Sequence, residues 1–142
     1  MTDKAAFRTE ACWHVRVQTP AAHVERILAA VTEVHPLDYG PYDNVSFATR
    51  PGVQRFRVLP GSRNAPTDAV VTVDCVDLSF VVARTADLEA ILQAVMDAHA
   101  YEEPVITVTE AVRALHLPGA GDNNPNRFWN RPPEDWVPES HR

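Results

Sequence analysis

The chain has few of the residues and patterns that mark the common cofactor and metal sites. It contains only two cysteines, Cys12 and Cys75, which are too few for a disulfide framework and too far apart for a CxxC zinc pair. The GxGxxG, Walker, HExxH and GxSxG patterns are all missing. The sequence therefore gives no support for a dinucleotide fold, a P-loop, a zincin or a serine hydrolase.

Basic residues and long apolar runs are also scarce. Thirteen Lys and Arg against 19 Asp and Glu give a net charge of −6, which argues against a nucleic acid or an anionic membrane as a partner. No apolar run approaches the roughly 18 residues of a membrane span, and residues 1–5 show no hydrophobic leader. We therefore expect a cytoplasmic protein. Its 142 residues suffice for one domain with its own core.

Apolar residues recur with strand and helix periods in alternation. Period-two spacing predicts strands over residues 10–18, 44–49, 53–58, 70–83 and 104–112, the second and third forming a hairpin. Helical spacing predicts one helix after Thr19 and another after Thr85, each residue serving as an N-cap. This order is the α+β ferredoxin-like βαββαβ plan, with both helices on one face of an antiparallel sheet.

The composition changes after residue 116. Residues 117–142 contain five prolines and show no periodicity, which is typical of irregular structure. Phe128, Trp129 and Trp136 are unusual in a solvated tail. We therefore predict a domain over residues 1–116 and an extended arm over 117–142, whose aromatic rings pack on its own domain or on a neighbouring subunit.

The segment between the second helix and the last strand has the densest set of reactive side chains. These are His99, Tyr101, Glu102 and Glu103. A histidine, a phenol and two carboxylates could bind a divalent cation or act as acid and base. In the structural alternative, His99 continues the apolar stripe of the helix and is charged at its C-terminus, Tyr101 packs on the sheet, and one glutamate pairs with an arginine.

This segment also resembles a known family. His99-Ala100-Tyr101-Glu102-Glu103-Pro104 is similar to the His-Pro-Tyr-Glu-Glu-Pro signature of the domain inserted in YqfO-type members of the NGG-interacting-factor-three-like family. A related His-Pro-Tyr-Glu motif occurs in the CutA divalent-cation-tolerance proteins. Residues 40–47 (GPYDNVSF) and 52–61 (with FRVL between two glycines) resemble two further segments of the inserted domain. The resemblance thus covers roughly residues 11–115.

The resemblance implies a CutA/PII-like fold and a homo-oligomer, with a trimer favoured. In the YqfO-type proteins, the paired metal ions bind in the larger body and not in the inserted domain. The family's GTP cyclohydrolase label therefore does not pass to this chain. Ala100 replaces the proline of the signature, so the turn after His99 is less constrained here.

Two further groups of residues are candidates for binding. Cys12 and His14 fall on the same side of the sheet as Cys75 and Asp77 of the neighbouring strand, and such a set could bind zinc or copper. Alternatively, the cysteines are small buried apolar residues. Arg55 and Arg57 belong to a basic run around the hairpin, which either binds an anionic metabolite or pairs with acids.

We predict a non-enzymatic binding or regulatory module without catalytic residues. Its ligand, a divalent metal ion or a small anionic metabolite, lies at a subunit cleft lined by His99, Tyr101, Glu102, Glu103, Arg55 and Arg57. The metal ligands in that cleft are His99, Glu102 and Glu103. One alternative is a metal-dependent hydrolase that uses His99 and one glutamate as ligands and the other glutamate as base. Another is a structural adaptor that binds a protein partner through the sheet face or the arm.

Overall fold

The computed structural model describes residues 6–141. Residues 1–5, for which we predicted that no leader is present, lie outside the described residues, as does residue 142. The strands and α-helices of the described part are β1 (Phe7–Thr19), α1 (Val24–Thr32), β2 (Phe47–Ala48), β3 (Gly52–Phe56), β4 (Val71–Ala83), α2 (Leu88–Ala98) and β5 (Ile106–His116). Over residues 6–141, no helix is long and apolar enough to cross a membrane.

The sheet has β1 and β4 at its centre. Its order is β2-β4-β1-β5, and β3 also pairs with β4. β1 and β4 run antiparallel, from Cys12 opposite Ala83 to Thr19 opposite Val76. With β2 and β3 counted as one broken edge strand, this is the predicted ferredoxin-like α+β fold, which the structure confirms.

Both helices pack on the same face of the sheet. Alternate residues of the two central strands form one core with α1 and α2, and the buried members of this core are Val15, Val17, Ile27, Val31, Leu37, Leu78, Phe80, Val82, Ile91 and Val95. The period-two spacing in the strands and the three- and four-residue spacing in the helices bring these side chains together. Each buried side chain of this size contributes about 1.5–3 kcal/mol relative to an exposed one.

The predicted hairpin is wrong. β2 pairs with Ser79 and Leu78 of β4, and β3 pairs with β4 from Gly52 opposite Cys75 to Phe56 opposite Val71. The two short strands therefore follow one another along the same edge of β4. Apolar alternation identifies a strand but not its neighbour, and the 13 residues of β4 leave room for both.

The helix starts also differ from the prediction. A 3₁₀ turn, Ala21–His23, precedes α1. α2 is capped by Asp87 instead of Thr85, because the Asp87 carboxylate accepts a hydrogen bond from the Ala90 N–H at 3.1 Å. Both residues are good N-caps, so propensity alone does not choose between them.

The described chain divides into two compact units. One comprises residues 11–113 and the other residues 6–10 with 114–141. In the second unit, three 3₁₀ turns follow β5. Phe128 and Trp136 stack there with ring centroids 5.4 Å apart, and Trp129 lies 5.7 Å from His116. These three aromatic rings thus pack within their own unit, and about half of each remains exposed.

Candidate functional site

A cleft of about 900 Å³ opens beside β3 in the larger unit. Its walls are residues 54–62 with Asn64, which belong to β3 and the loop after it, and residues of the turn that follows α2. Five of the six predicted ligand-binding residues line this cleft: Arg55, Arg57, Tyr101, Glu102 and Glu103. The fold therefore brings together residues that lie more than 40 positions apart in the sequence.

The sixth residue, His99, does not line the cleft. It is 9% exposed and both of its ring nitrogens are engaged. Nε2 lies 2.7 Å from the carbonyl oxygen of Gln18, and Nδ1 accepts the Tyr101 N–H at 3.0 Å. Nδ1 can accept only as an unprotonated nitrogen, so Nε2 is the donor and the ring is neutral.

Burial lowers the pKa of His99 below its ordinary value. The hydrogen bond to Gln18 opposes this shift, while the nearby His23 and Arg26 add to it. The neutral imidazole corrects the expectation that His99 is charged at the helix end. Since neither nitrogen has a free lone pair, His99 is not placed to bind a metal ion.

Glu102 ties the loop after β3 to the turn after α2. Its Oε2 accepts the hydroxyl of Ser62 at 2.5 Å, and its Oε1 accepts the backbone N–H of Arg63 at 2.9 Å. These hydrogen bonds favour the carboxylate and lower the pKa of Glu102. We predicted that one glutamate pairs with an arginine. Glu102 does contact Arg63, but through the backbone N–H of that residue and not through its guanidinium group.

The turns after the two helices contain the same type of hydrogen bond, in which a backbone N–H donates to Nδ1 of a histidine two residues earlier. His35 follows α1, and its Nδ1 accepts the Leu37 N–H at 2.9 Å, as His99 accepts that of Tyr101. Leu37 is buried and has a φ of 51°, which is unfavourable for a bulky residue. This hydrogen bond was not predicted, although a histidine two residues before an apolar or aromatic residue at a helix end occurs in both halves of the sequence.

Gln18 and Gln54 are site residues that the sequence analysis did not identify. Both line the cleft and both are half-buried. The side-chain amide of Gln54 donates from Nε2 to Oε1 of Gln18 at 2.9 Å. Their signal in the sequence is weak, since it consists only of one long amide side chain in each of two strands that lie far apart in the chain.

Arg55 and Arg57 give the cleft its positive charge. Both are exposed, and within residues 6–141 the structure shows no ion pair for either of them. Glu103, also exposed, is the acidic counterpart in the lining. Tyr101 is half-buried with its ring centroid 4.8 Å from that of His99, and burial raises its pKa.

The structure assembles neither of the predicted metal sites. The β1–β4 register places Cys12 opposite Ala83 and Gln18 opposite Asp77. Cys12 is thus six residues, or about 20 Å, from the level of Asp77, and Asp77 instead binds Arg16. Over the described residues 6–141, no group of three or more His, Cys, Asp or Glu side chains could hold a metal ion. The zinc or copper prediction was wrong because the alternation gave the face of each strand but not the register.

Several solved structures share this fold. The chain is similar to a Bacillus cereus protein related to NIF3, with a TM-score of 0.60 and 21% identity over 75% of this chain and 27% of that one. It is similar to CutA1 from Shewanella sp. SIB1, with a TM-score of 0.51 and 18% identity over 69% of this chain and 78% of that one. The GlnK–ATP complex of B. subtilis gives 0.50 and 9%, over 71% and 82%.

These likenesses confirm the predicted resemblance at the level of the fold. At identities of 21% and below they show the fold alone. The chain spans about a quarter of the length of the NIF3-related protein and most of the length of CutA1 and GlnK. No protein-family model matches the chain, and no curated protein sequence does.

Proposed function

We propose that this protein is a non-enzymatic binding or regulatory module whose cleft beside β3 holds a small anionic metabolite. The observation that carries the proposal is the pair Arg55 and Arg57, two cleft-lining arginines for which residues 6–141 show no ion pair. A guanidinium group is planar and binds a carboxylate or phosphate through two parallel hydrogen bonds. The cleft volume of about 900 Å³ is also within the range of small-molecule sites.

The same geometry favours an anion over a divalent cation. Of the three predicted metal ligands, His99 has both ring nitrogens occupied and Glu102 has both carboxylate oxygens bound to Ser62 and Arg63. Only Glu103 remains in the cleft lining, and one carboxylate is too few ligands for a dedicated metal site. A metal ion in this cleft would also lie near two guanidinium groups, which repel a cation. The hydrolase alternative depends on the same metal ligands and is disfavoured for the same reason.

Removing either cleft arginine is expected to weaken anion binding. We choose ribose 5-phosphate as the probe and expect Arg55→Ala and Arg57→Ala each to weaken its binding about 10- to 100-fold in isothermal titration calorimetry. A hydrogen bond to a charged group contributes about 1.5–3 kcal/mol, which corresponds to that change in affinity.

Arg50→Ala is the matched control for this experiment. Arg50 is exposed, lies just before β3 and does not line the cleft, so its loss makes the same change in net charge elsewhere. An equal loss of affinity in Arg50→Ala would show that the probe responds to overall charge and not to the cleft. Wild-type protein that does not bind the probe at millimolar concentration would count against the proposed function.

We further propose that the protein is a homo-oligomer, and a trimer is the state we expect. The broken edge strand leaves Phe47 and Val53 69% and 66% exposed. An unpaired strand edge with exposed apolar residues favours association with another chain.

Native mass spectrometry is expected to detect a trimer. Phe47→Lys should weaken the assembly and increase the monomer fraction, because it puts a charge on the exposed edge. Met96→Lys is the control, since Met96 is 45% exposed on α2, away from the strand edge. A wild-type monomer would contradict the oligomer and favour the adaptor alternative, in which the sheet or residues 117–142 bind another protein.

A further inference from the structure

The amide pair in the cleft has hydrogen-bonding capacity that the fold does not use. Gln54 donates one N–H to the oxygen of Gln18 at 2.9 Å. Within residues 6–141 the structure shows no other hydrogen bond for these two side chains. The NH₂ group of Gln18, the carbonyl oxygen of Gln54 and the second N–H of Gln54 are therefore available to a ligand. Exchanging the roles of the two residues would again leave one NH₂ donor and one oxygen acceptor.

The backbone of Gln18 is held on both sides. Its N–H donates to the carbonyl oxygen of Val105 at 3.0 Å, and its own carbonyl lies 2.7 Å from Nε2 of His99. Gln54 belongs to β3 and is fixed by pairing opposite Val73 of β4. The two amides are therefore presented from rigid strands, which is the arrangement that gives a binding site its selectivity.

A free donor beside a free acceptor selects a particular kind of ligand group. A carboxamide or a ring lactam offers a carbonyl oxygen and an N–H side by side, and so satisfies both. A carboxylate or phosphate offers acceptors only, so it would leave the Gln54 carbonyl oxygen facing a negative charge. Once the bound ligand excludes water from this oxygen, leaving it unpaired is costly.

We propose that Gln18 and Gln54 together recognise a carboxamide or ring-lactam group on the anionic ligand whose acidic group binds Arg55 and Arg57. This inference rests on the proposed function, because it assigns the second end of the same ligand. Phe56 and Tyr101 line the same cleft and supply aromatic surface against which a planar lactam ring can pack. The ligand class is thus a small acid that also contains an amide, and not a diacid.

Uridine 5′-monophosphate and ribose 5-phosphate can be used to test the lactam end and the phosphate end of such a ligand separately. Both contain the sugar phosphate, but only the first contains a ring lactam. By calorimetry, we expect the wild-type protein to bind uridine 5′-monophosphate at least about 10-fold more tightly, the equivalent of about 1.4 kcal/mol. Gln18→Leu and Gln54→Leu should each remove this preference, whereas Arg55→Ala should weaken the binding of both probes.

Gln93→Leu is the matched control, since Gln93 is an exposed residue of α2 outside the cleft. Circular dichroism on all three variants checks that they fold, and the use of two cleft variants guards against the failure of one. Equal wild-type affinities for the two probes would overturn the lactam inference while leaving anion binding intact. If neither probe binds, the proposed function fails and the inference fails with it.

Discussion

His99→Ala is expected to lower the free energy of unfolding by about 2–4 kcal/mol, the largest effect we foresee for a single residue near the site. The substitution leaves the Gln18 carbonyl and the Tyr101 N–H without their present partners, and each part-buried group left unpaired costs roughly 1–3 kcal/mol. Urea denaturation followed by circular dichroism at pH 7.5 measures the change.

His14→Ala provides the comparison. His14 is a half-buried histidine of β1, and within residues 6–141 the structure shows no hydrogen bond to its side chain. Its removal should therefore cost less than about 1 kcal/mol. Similar losses for the two variants would mean that the hydrogen bonds of His99 are not what stabilises this end of the sheet.

His99 also links the stability of the fold to the cleft. It holds Gln18 from one ring nitrogen and the start of the turn containing Glu102 from the other. Glu102 in turn holds the loop after β3. His99 and Glu102 of the motif therefore hold the walls of the cleft in place, whereas the polar ligand contacts we propose come from β1, β3 and the residue just after β3.

The fold could be predicted from the sequence because it depends on short-range spacing. The alternation that includes Val15 and Val17 and the stripe that includes Ile91 and Val95 each appear within a few residues, and all four are buried as expected. The partner of each strand depends on distant residues instead. The hairpin and the cysteine site were both wrong for this reason, since each required a register that no local pattern fixes.

The cleft was predictable only in part. The family resemblance drew attention to Tyr101 and Glu102, and the basic run to Arg55 and Arg57, and with Glu103 these are five of the sixteen residues that line the cleft. The neutral state of His99 was not, because it depends on the carbonyl oxygen of a residue 81 positions away in the chain. Gln18 and Gln54 were overlooked for a similar reason, since the two amides lie 36 positions apart in the chain and only the fold brings them into contact.

The free energy of unfolding is expected to fall as the pH is lowered from about 7.5 to 5. Burial lowers the folded-state pKa of both His35 and His99 below 6.5, so protonation favours the unfolded chain. Their contribution is complete above pH 6.5 and is lost as the pH falls through the folded-state values. Each histidine changes the free energy by at most about 1.4 kcal/mol per pH unit. Glu102, whose pKa is lowered from 4.5, adds its own loss only at lower pH.

The His35→Asn/His99→Asn double variant distinguishes the effect of protonating the two histidines from the effect of losing their hydrogen bonds. An Asn side-chain oxygen can accept the N–H two residues on, as in an Asx turn, so it replaces Nδ1 in the contacts with Leu37 and Tyr101 but does not titrate. Urea denaturation at several pH values should therefore give a flatter pH dependence for the His35→Asn/His99→Asn double variant, even if its stability at pH 7.5 is lower. A double variant with the wild-type slope would assign the pH dependence to other groups and contradict the neutral state of the two imidazoles.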